Sequence, residues 1–161
     1  MSILCAAAPE SPAEPTTSVV GDQVIFDWDE PVANGTPITG YDVYIRKDDL
    51  SYIVDSTVCN GDNTVVVSNT ECTTQLNKLT AAPFNLLQGY SVFIKIIAKN
   101  AYGSSVESVP GNGAIIVLVP EAPINLLNNP LVTTKSVIGF TWDEGVNNGG
   151  ESVIDYKIQY D

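Results

Sequence analysis

Apolar and polar residues alternate along most of the chain. Val24, Phe26 and Trp28 fall on one side of a two-residue period, and so do Tyr41, Val43 and Ile45. That period is the signature of a half-buried strand. Between 90 and 99 it puts Tyr90, Val92, Ile94, Ile96 and Ala98 on one face, with Ser91, Lys95 and Lys99 on the other. The pattern predicts strands near 16–20, 23–29, 40–47, 52–55, 73–79 and 90–99, and a split last strand that resumes at 114–119 after Pro110-Gly-Asn-Gly113. Proline and glycine clusters punctuate these runs. No helix-period segment competes, apart from a short turn expected within 80–88. Seven short strands in about 110 residues predict an all-β, immunoglobulin-like sandwich. Trp28, Tyr41 and Tyr90 are its expected core aromatics. Burying them with their aliphatic neighbours drives folding at roughly 25 cal/mol per Å2 of apolar surface.

The pattern then repeats. Asp27-Trp28-Asp29-Glu30 returns as Thr141-Trp142-Asp143-Glu144, 114 residues later. An Asn-Gly turn follows each tryptophan, at Asn34-Gly35 and Asn148-Gly149, and a second alternating run follows each turn, Tyr41-x-Val43 and Tyr156-x-Ile158. Ala8-Pro9-Glu10-Ser11-Pro12 returns as Val119-Pro120-Glu121-Ala122-Pro123. Fixed-offset similarity of this kind marks tandem units. It divides the chain into residues 1–8, the last strand of a preceding repeat; 9–119, a complete domain; and 120–161, the opening strands of a following one. Trp142 and Tyr156 are the expected core residues of the last. Pro9, Pro12, Pro15, Pro120 and Pro123 are expected to stiffen the junctions.

The run Pro-x-x-Pro, Val-x-Phe-x-Trp-x-x-Pro and Asn-Gly-x-x-Ile-x-x-Tyr-x-Val-Tyr resembles the fibronectin type III domain. So does Gly89 to Gly103, where Tyr90, Ala98, Asn100 and Gly103 fall on the family's F-strand and F–G turn positions. The resemblance implies a tandem-repeat sandwich with incomplete terminal repeats, acting as a binding or spacer module without enzymatic chemistry. It also implies that Tyr90 forms a corner motif by bonding back near Leu79. Two departures stand out: a Cys-to-Cys insertion between strands C and E, and a lengthened E–F connection. With them the chain looks like the long arrays in large surface or secreted proteins of ciliated protists. No Arg-Gly-Asp tripeptide is present, so integrin recognition is not implied.

Composition narrows the chemistry. There is no histidine, which removes the commonest general base and histidine metal sites. The net charge of −12, with seven lysines and arginines, disfavours nucleic acid and anionic membranes, which need a basic footprint. No apolar run is long enough for a transmembrane helix. The three cysteines are Cys5, Cys59 and Cys72. Cys59 and Cys72 read as a disulfide closing a local loop, the alternative being two small buried thiols in a reducing compartment. Cys5 is then left over, free or paired outside the chain. The start of the chain lacks the basic flank and length of a signal peptide. Asn34-Gly35-Thr36 is an N-glycosylation sequon in a turn, making Asn34 a candidate glycan site.

The remaining candidates are weighed on chemistry. Asp22, Asp27, Asp29, Glu30, Asp48 and Asp49 invite calcium, which needs six to eight converging oxygens; a solvated acidic surface is the stronger reading, and no metal ligands or cofactors are assigned. Asp62 in Asn60-Gly-Asp-Asn63 reads as a tight turn. Tyr44, Phe93 and Tyr102 are expected to point outward, as contacts for a neighbouring repeat or another protein chain. The expected function is a non-catalytic structural or adhesive segment of an extracellular or cell-surface array. The competing reading is a ligand- or glycan-binding accessory module of a secreted enzyme.

Overall fold

The computed structural model describes residues 6–159, which divide into two compact units, residues 6–116 and 117–159. In the first unit, β1 (Thr16–Val20), β2 (Gln23–Asp27) and β5 (Glu71–Gln75) form an antiparallel sheet in the order β1-β2-β5. A second antiparallel sheet runs β4-β3-β6-β7, from β3 (Gly40–Arg46), β4 (Tyr52–Val54), β6 (Ile94–Asn100) and β7 (Gly103–Ser104). The register of β3 on β6 runs from Gly40 opposite Lys99 to Ile45 opposite Ile94. After Ser108 the chain lies along the same sheet through single bridges, Ser91 to Ile115 and Ile94 to Gly111.

Both inner faces are filled by the alternating residues. Val24 and Phe26 on β2, Tyr41, Val43 and Ile45 on β3, and Ile94, Ile96 and Ala98 on β6 are all buried, together with Val92 and Ile116. Trp28, 3% exposed, meets Tyr41 edge-on with ring centroids 5.1 Å apart. Three strands face four, with β4 on the larger sheet. This is an all-β, immunoglobulin-like sandwich in the fibronectin type III arrangement. One buried hydroxyl pins its seam: Thr17 Oγ1 donates to the Val92 carbonyl at 3.0 Å and accepts from the Ala114 N–H at 2.9 Å.

Several expectations need correction. The strand predicted over 73–79 is strand only to Gln75; Leu76–Thr80 is a helical turn, α2. Leu76 and Leu79 are both buried. Three residues apart, they share a face of a helix but not of a strand. A second helix, α1 (Thr64–Asn69), lies in the Cys-to-Cys insertion where none was predicted. Its β-branched sequence favours a strand, but Asn63 caps it by accepting from the Val65 N–H, and Thr70 closes it in a left-handed conformation.

Tyr90 is not a core residue. It is 41% exposed, at a turn where its N–H bonds to the Leu87 carbonyl. The lengthened 80–88 connection instead carries Phe84 and Leu86 into the core, and the Leu86 N–H takes the Leu79 carbonyl expected for the tyrosine. The proline segment is built into the unit: Pro9, Pro12 and Pro15, one every three residues, are buried. Of the strand expected over 1–8, residues 1–5, with Cys5, lie outside the described residues. Ala6 to Ala8 form no strand; the Ala7 N–H donates to the Asn34 carbonyl at 3.0 Å.

In the second unit, β8 (Ile124–Asn128) pairs antiparallel with β9 (Phe140–Asp143). Leu127 faces Thr141 and Asn128 faces Phe140. These pairs follow the register of Thr16 with Asp27 and Thr17 with Phe26. Trp142 meets Tyr156 edge-on at 5.3 Å. The described part of the run after Val153 joins no ladder. Trp142 and Tyr156 are therefore half-buried rather than core residues. Among the described residues of this unit, no counterparts of β5 and β6 close over them.

Candidate interaction surface

The insertion is held by covalent and polar ties. Cys59 and Cys72 are disulfide-bonded across a separation of 13 residues, with Cα atoms 5.7 Å apart. The loop backbone lies directly on β3: the Tyr41 N–H donates to the Gly61 carbonyl at 3.0 Å. A Cβ on Gly61 would collide with the Tyr41 carbonyl, so only glycine allows this approach. Asp62 serves as more than a turn residue. It pairs with Lys99 at 2.9 Å, and Lys99 also reaches Asp42 at 2.7 Å. Burial alone would lower the Lys99 pKa, but its hydrogen bonds to the two carboxylates outweigh this and leave it raised.

Beside that loop lies the outer face of the four-stranded sheet. The Arg46 guanidinium stacks on the Phe93 ring, 3.6 Å from its centroid, and Lys95 lies 4.7 Å over the Tyr52 ring. Tyr44 stands between them on β3, opposite Lys95 on β6 and Val54 on β4. Tyr44 and Phe93, predicted to point outward, do so, each half-covered by these neighbours. At one end of this face Arg46, Lys47, Leu50, Tyr90, Ser91 and Phe93 line a groove of about 350 Å3. Its rim is fixed by Asp49, which accepts from Lys47 and from the Ser51 hydroxyl and N–H. Those bonds hold the Asp49 carboxyl well below the usual range. Asp55 is lowered too, first by the Thr57 hydroxyl and then by the Thr57 N–H.

Tyr102 lies at the opposite end of β6, 63% exposed in the turn between β6 and β7. Beneath it Asn100 is buried. Its Nδ2 donates to the Ala7 and Ala33 carbonyls at 2.7 and 2.9 Å, and its Oδ1 accepts from the Tyr102 N–H. Asn34 joins the same knot: at φ 53° in its turn, its Nδ2 donates to the Ala8 carbonyl at 2.8 Å. The candidate glycan atom is thus half-buried and already bonded. Among the described residues, no three acidic or cysteine side chains gather where they could hold a metal ion. Nor, among the described residues, is any helix long and apolar enough to cross a membrane.

Sequence reasoning missed Arg46 and Tyr52, and placed Asn100 only as a turn position. The signal for Arg46 and Tyr52 was the alternation itself, since both share the outward parity of Tyr44 once β4 is paired. The bonds of Asn100 bridge segments distant in sequence, and that role gave no local signal.

In the second unit a larger groove, about 710 Å3, is lined by Val119, Pro120, Leu126, Trp142, Val153 and Tyr156, among others. The Leu118 N–H donates to the Gly149 carbonyl at 2.7 Å, and the Glu121 N–H to Asn147 at 2.9 Å. They echo the bonds of Ala7 to Asn34 and Glu10 to Val32 in the first unit.

No family model matches the chain. Among solved structures it is similar to a crystal structure of titin domains, at 25% sequence identity and a TM-score of 0.47, over 67% of this chain and 32% of that one. It is also similar to the twitchin kinase region from C. elegans, at 24% identity and TM-score 0.45, over 64% of this chain and 16% of that one. A third, FN3tt mut, matches at 16% identity and TM-score 0.45, over 67% of this chain and 97% of that one. The chain thus spans a third or less of the titin and twitchin chains it matches.

Proposed function

We propose that the chain is a non-catalytic spacer and protein-interaction segment from a tandem array of fibronectin type III sandwiches working outside the cell. Residues 9–119 form the complete domain, and 120–161 are the opening strands A, B and C of the next. One observation carries this reading. The strand register, the edge-on Trp–Tyr pair and the bonds between proline segment and turn recur in the second unit at matching offsets. A sandwich fold of this kind serves spacing and adhesion through its faces and edges. The Cys59–Cys72 bond supports an oxidising compartment. The knot around Asn34 and Asn100 supports a stiff junction end that presents Tyr102 to a neighbour.

Peptide mapping of the unreduced protein from its natural source tests the compartment. A disulfide-linked Cys59–Cys72 peptide is expected. Free thiols at both positions would sink the extracellular reading. The array reading is tested by producing residues 117–161 alone. This segment is expected to lack cooperative unfolding, because three strands' worth of sequence cannot close a sandwich core. A cooperative transition from it would show a self-sufficient domain instead.

A further inference from the structure

The chain has a single arginine, and its surroundings leave it uncompensated. Each lysine of the first unit has a polar partner: Lys47 with Asp49, Lys95 with Glu107, Lys99 with Asp42 and Asp62, and Lys78 with the Thr57 carbonyl. The Arg46 guanidinium has the face of Phe93 and, among the described residues, no hydrogen bond; its Nε is shielded from solvent without an acceptor. A guanidinium carries five N–H donors in a planar fork, and leaving one buried and unbonded is costly. The nearby acids do not meet the need. Asp49 is committed to Lys47 and Ser51, and Asp48 lines the groove without reaching the guanidinium.

The rest of the groove is apolar where it opens. Leu50 is 67% exposed, held at φ 67°, a conformation that asparagine or glycine adopts far more readily than leucine. Tyr90, turned out of the core, lines the same groove. We propose that this groove binds a carboxylate of a partner protein, presented by a single aspartate or glutamate on an otherwise uncharged extended segment that lays an apolar side chain between Leu50 and Tyr90. The carboxylate takes the free edge of the Arg46 fork, which Phe93 holds flat and in place. An acidic glycan fits less well. Its hydroxyls would face Leu50 and the tyrosine ring with few partners, and Asp48 on the wall repels a polyanion. The inference stands apart from the array reading, since free thiols at Cys59 and Cys72 would leave it untouched.

Because Arg46 is the one arginine, its Nε–Hε signal in a proton–nitrogen spectrum identifies itself. The 161-residue protein is titrated with three probes: the capped peptide acetyl-Leu-Asp-Leu-amide, its Asn counterpart, and a glucuronate oligosaccharide. The aspartyl peptide is expected to move the Arg46 signal saturably, and the asparaginyl peptide to bind about tenfold more weakly. Leu50→Asp, which keeps the reporter and suits the backbone there, is expected to weaken the aspartyl peptide by a similar factor. In Arg46→Lys, the Ser91 and Phe93 amide signals should no longer respond. Equal binding of the two peptides, no response to either, or a stronger response to the oligosaccharide would overturn the proposal.

Discussion

The two units share the same opening motifs and end in different states. In each, a tryptophan from the second strand meets a tyrosine edge-on, at 5.1 Å in one and 5.3 Å in the other. In each, the proline segment bonds to the Asn-Gly turn. Yet Trp28 and Tyr41 are buried, while Trp142 and Tyr156 are half-covered. Pro9, Pro12 and Pro15 are buried, while Pro120 and Pro123 are exposed. In the second unit Leu131 and Ile154 are 95% and 96% exposed. The local motif therefore sets geometry without supplying a core. What separates the units is the covering layer of β5, β6, α2 and the Ile116 segment. In the first unit that layer buries Leu76, Leu79, Ile94, Ile96, Ala98 and Ile116 and takes Trp28 and Tyr41 out of water.

The largest expected effect breaks the comparison at its centre. Trp28→Ala should cost about 3–5 kcal/mol by opening a cavity in a closed core. Trp142→Ala should cost about 1 kcal/mol or less, because its ring already meets solvent. Hydrogen exchange read peptide by peptide follows each unit separately, and equal losses would refute the difference drawn here. Next, replacing Cys59 and Cys72 by alanine should destabilise the first unit by about 3 kcal/mol on the chain-entropy account. Exchange in residues 124–143 should not change. Asn100→Ala should cost about 1–3 kcal/mol, since two buried carbonyls lose their donor. It should release the Ala7 and Tyr102 amides to exchange before any in β2 or β3.

The smallest effect is on pH. Asp55 has its pKa lowered in the folded state, so its contribution is present above the unfolded carboxylate range and fades as acid takes the pH down through the folded value. Lys99 is raised, so its contribution is intact below the ordinary lysine pKa and is lost as the pH climbs through the folded value. Chemical denaturation of the first unit should show both slopes. Asp42→Asn should flatten the alkaline one and leave the acid one alone.

Alternation made most of the sandwich legible. The strands β1, β2, β3, β4 and β6 lie within a few residues of their predicted places, because a two-residue period has one exposed and one buried side. Alternation misled where the competing force was not periodic. In α1 a cap and a disulfide overrode β-branched propensity. In α2 two leucines three apart chose a helical turn. At Tyr90 the alternation still ran, but the lengthened connection filled the core with Phe84 and Leu86 and turned the tyrosine out. Of the surface residues, Tyr44, Phe93 and Tyr102 lie outward, as parity and turn position predicted. Arg46 was passed over because its meaning depends on Phe93, 47 positions away.

By itself, the sequence determined the class of fold, the places of most strands and the recurrence of the Trp–Tyr motif, since each follows from local period, and it favoured pairing Cys59 with Cys72 over two buried thiols. Only the tertiary structure decided which motif became a core, which aromatic left it, and which cation was left without a counter-charge. Those outcomes depend on segments far apart in sequence competing for one buried volume and a few acceptors, and no local pattern records who wins.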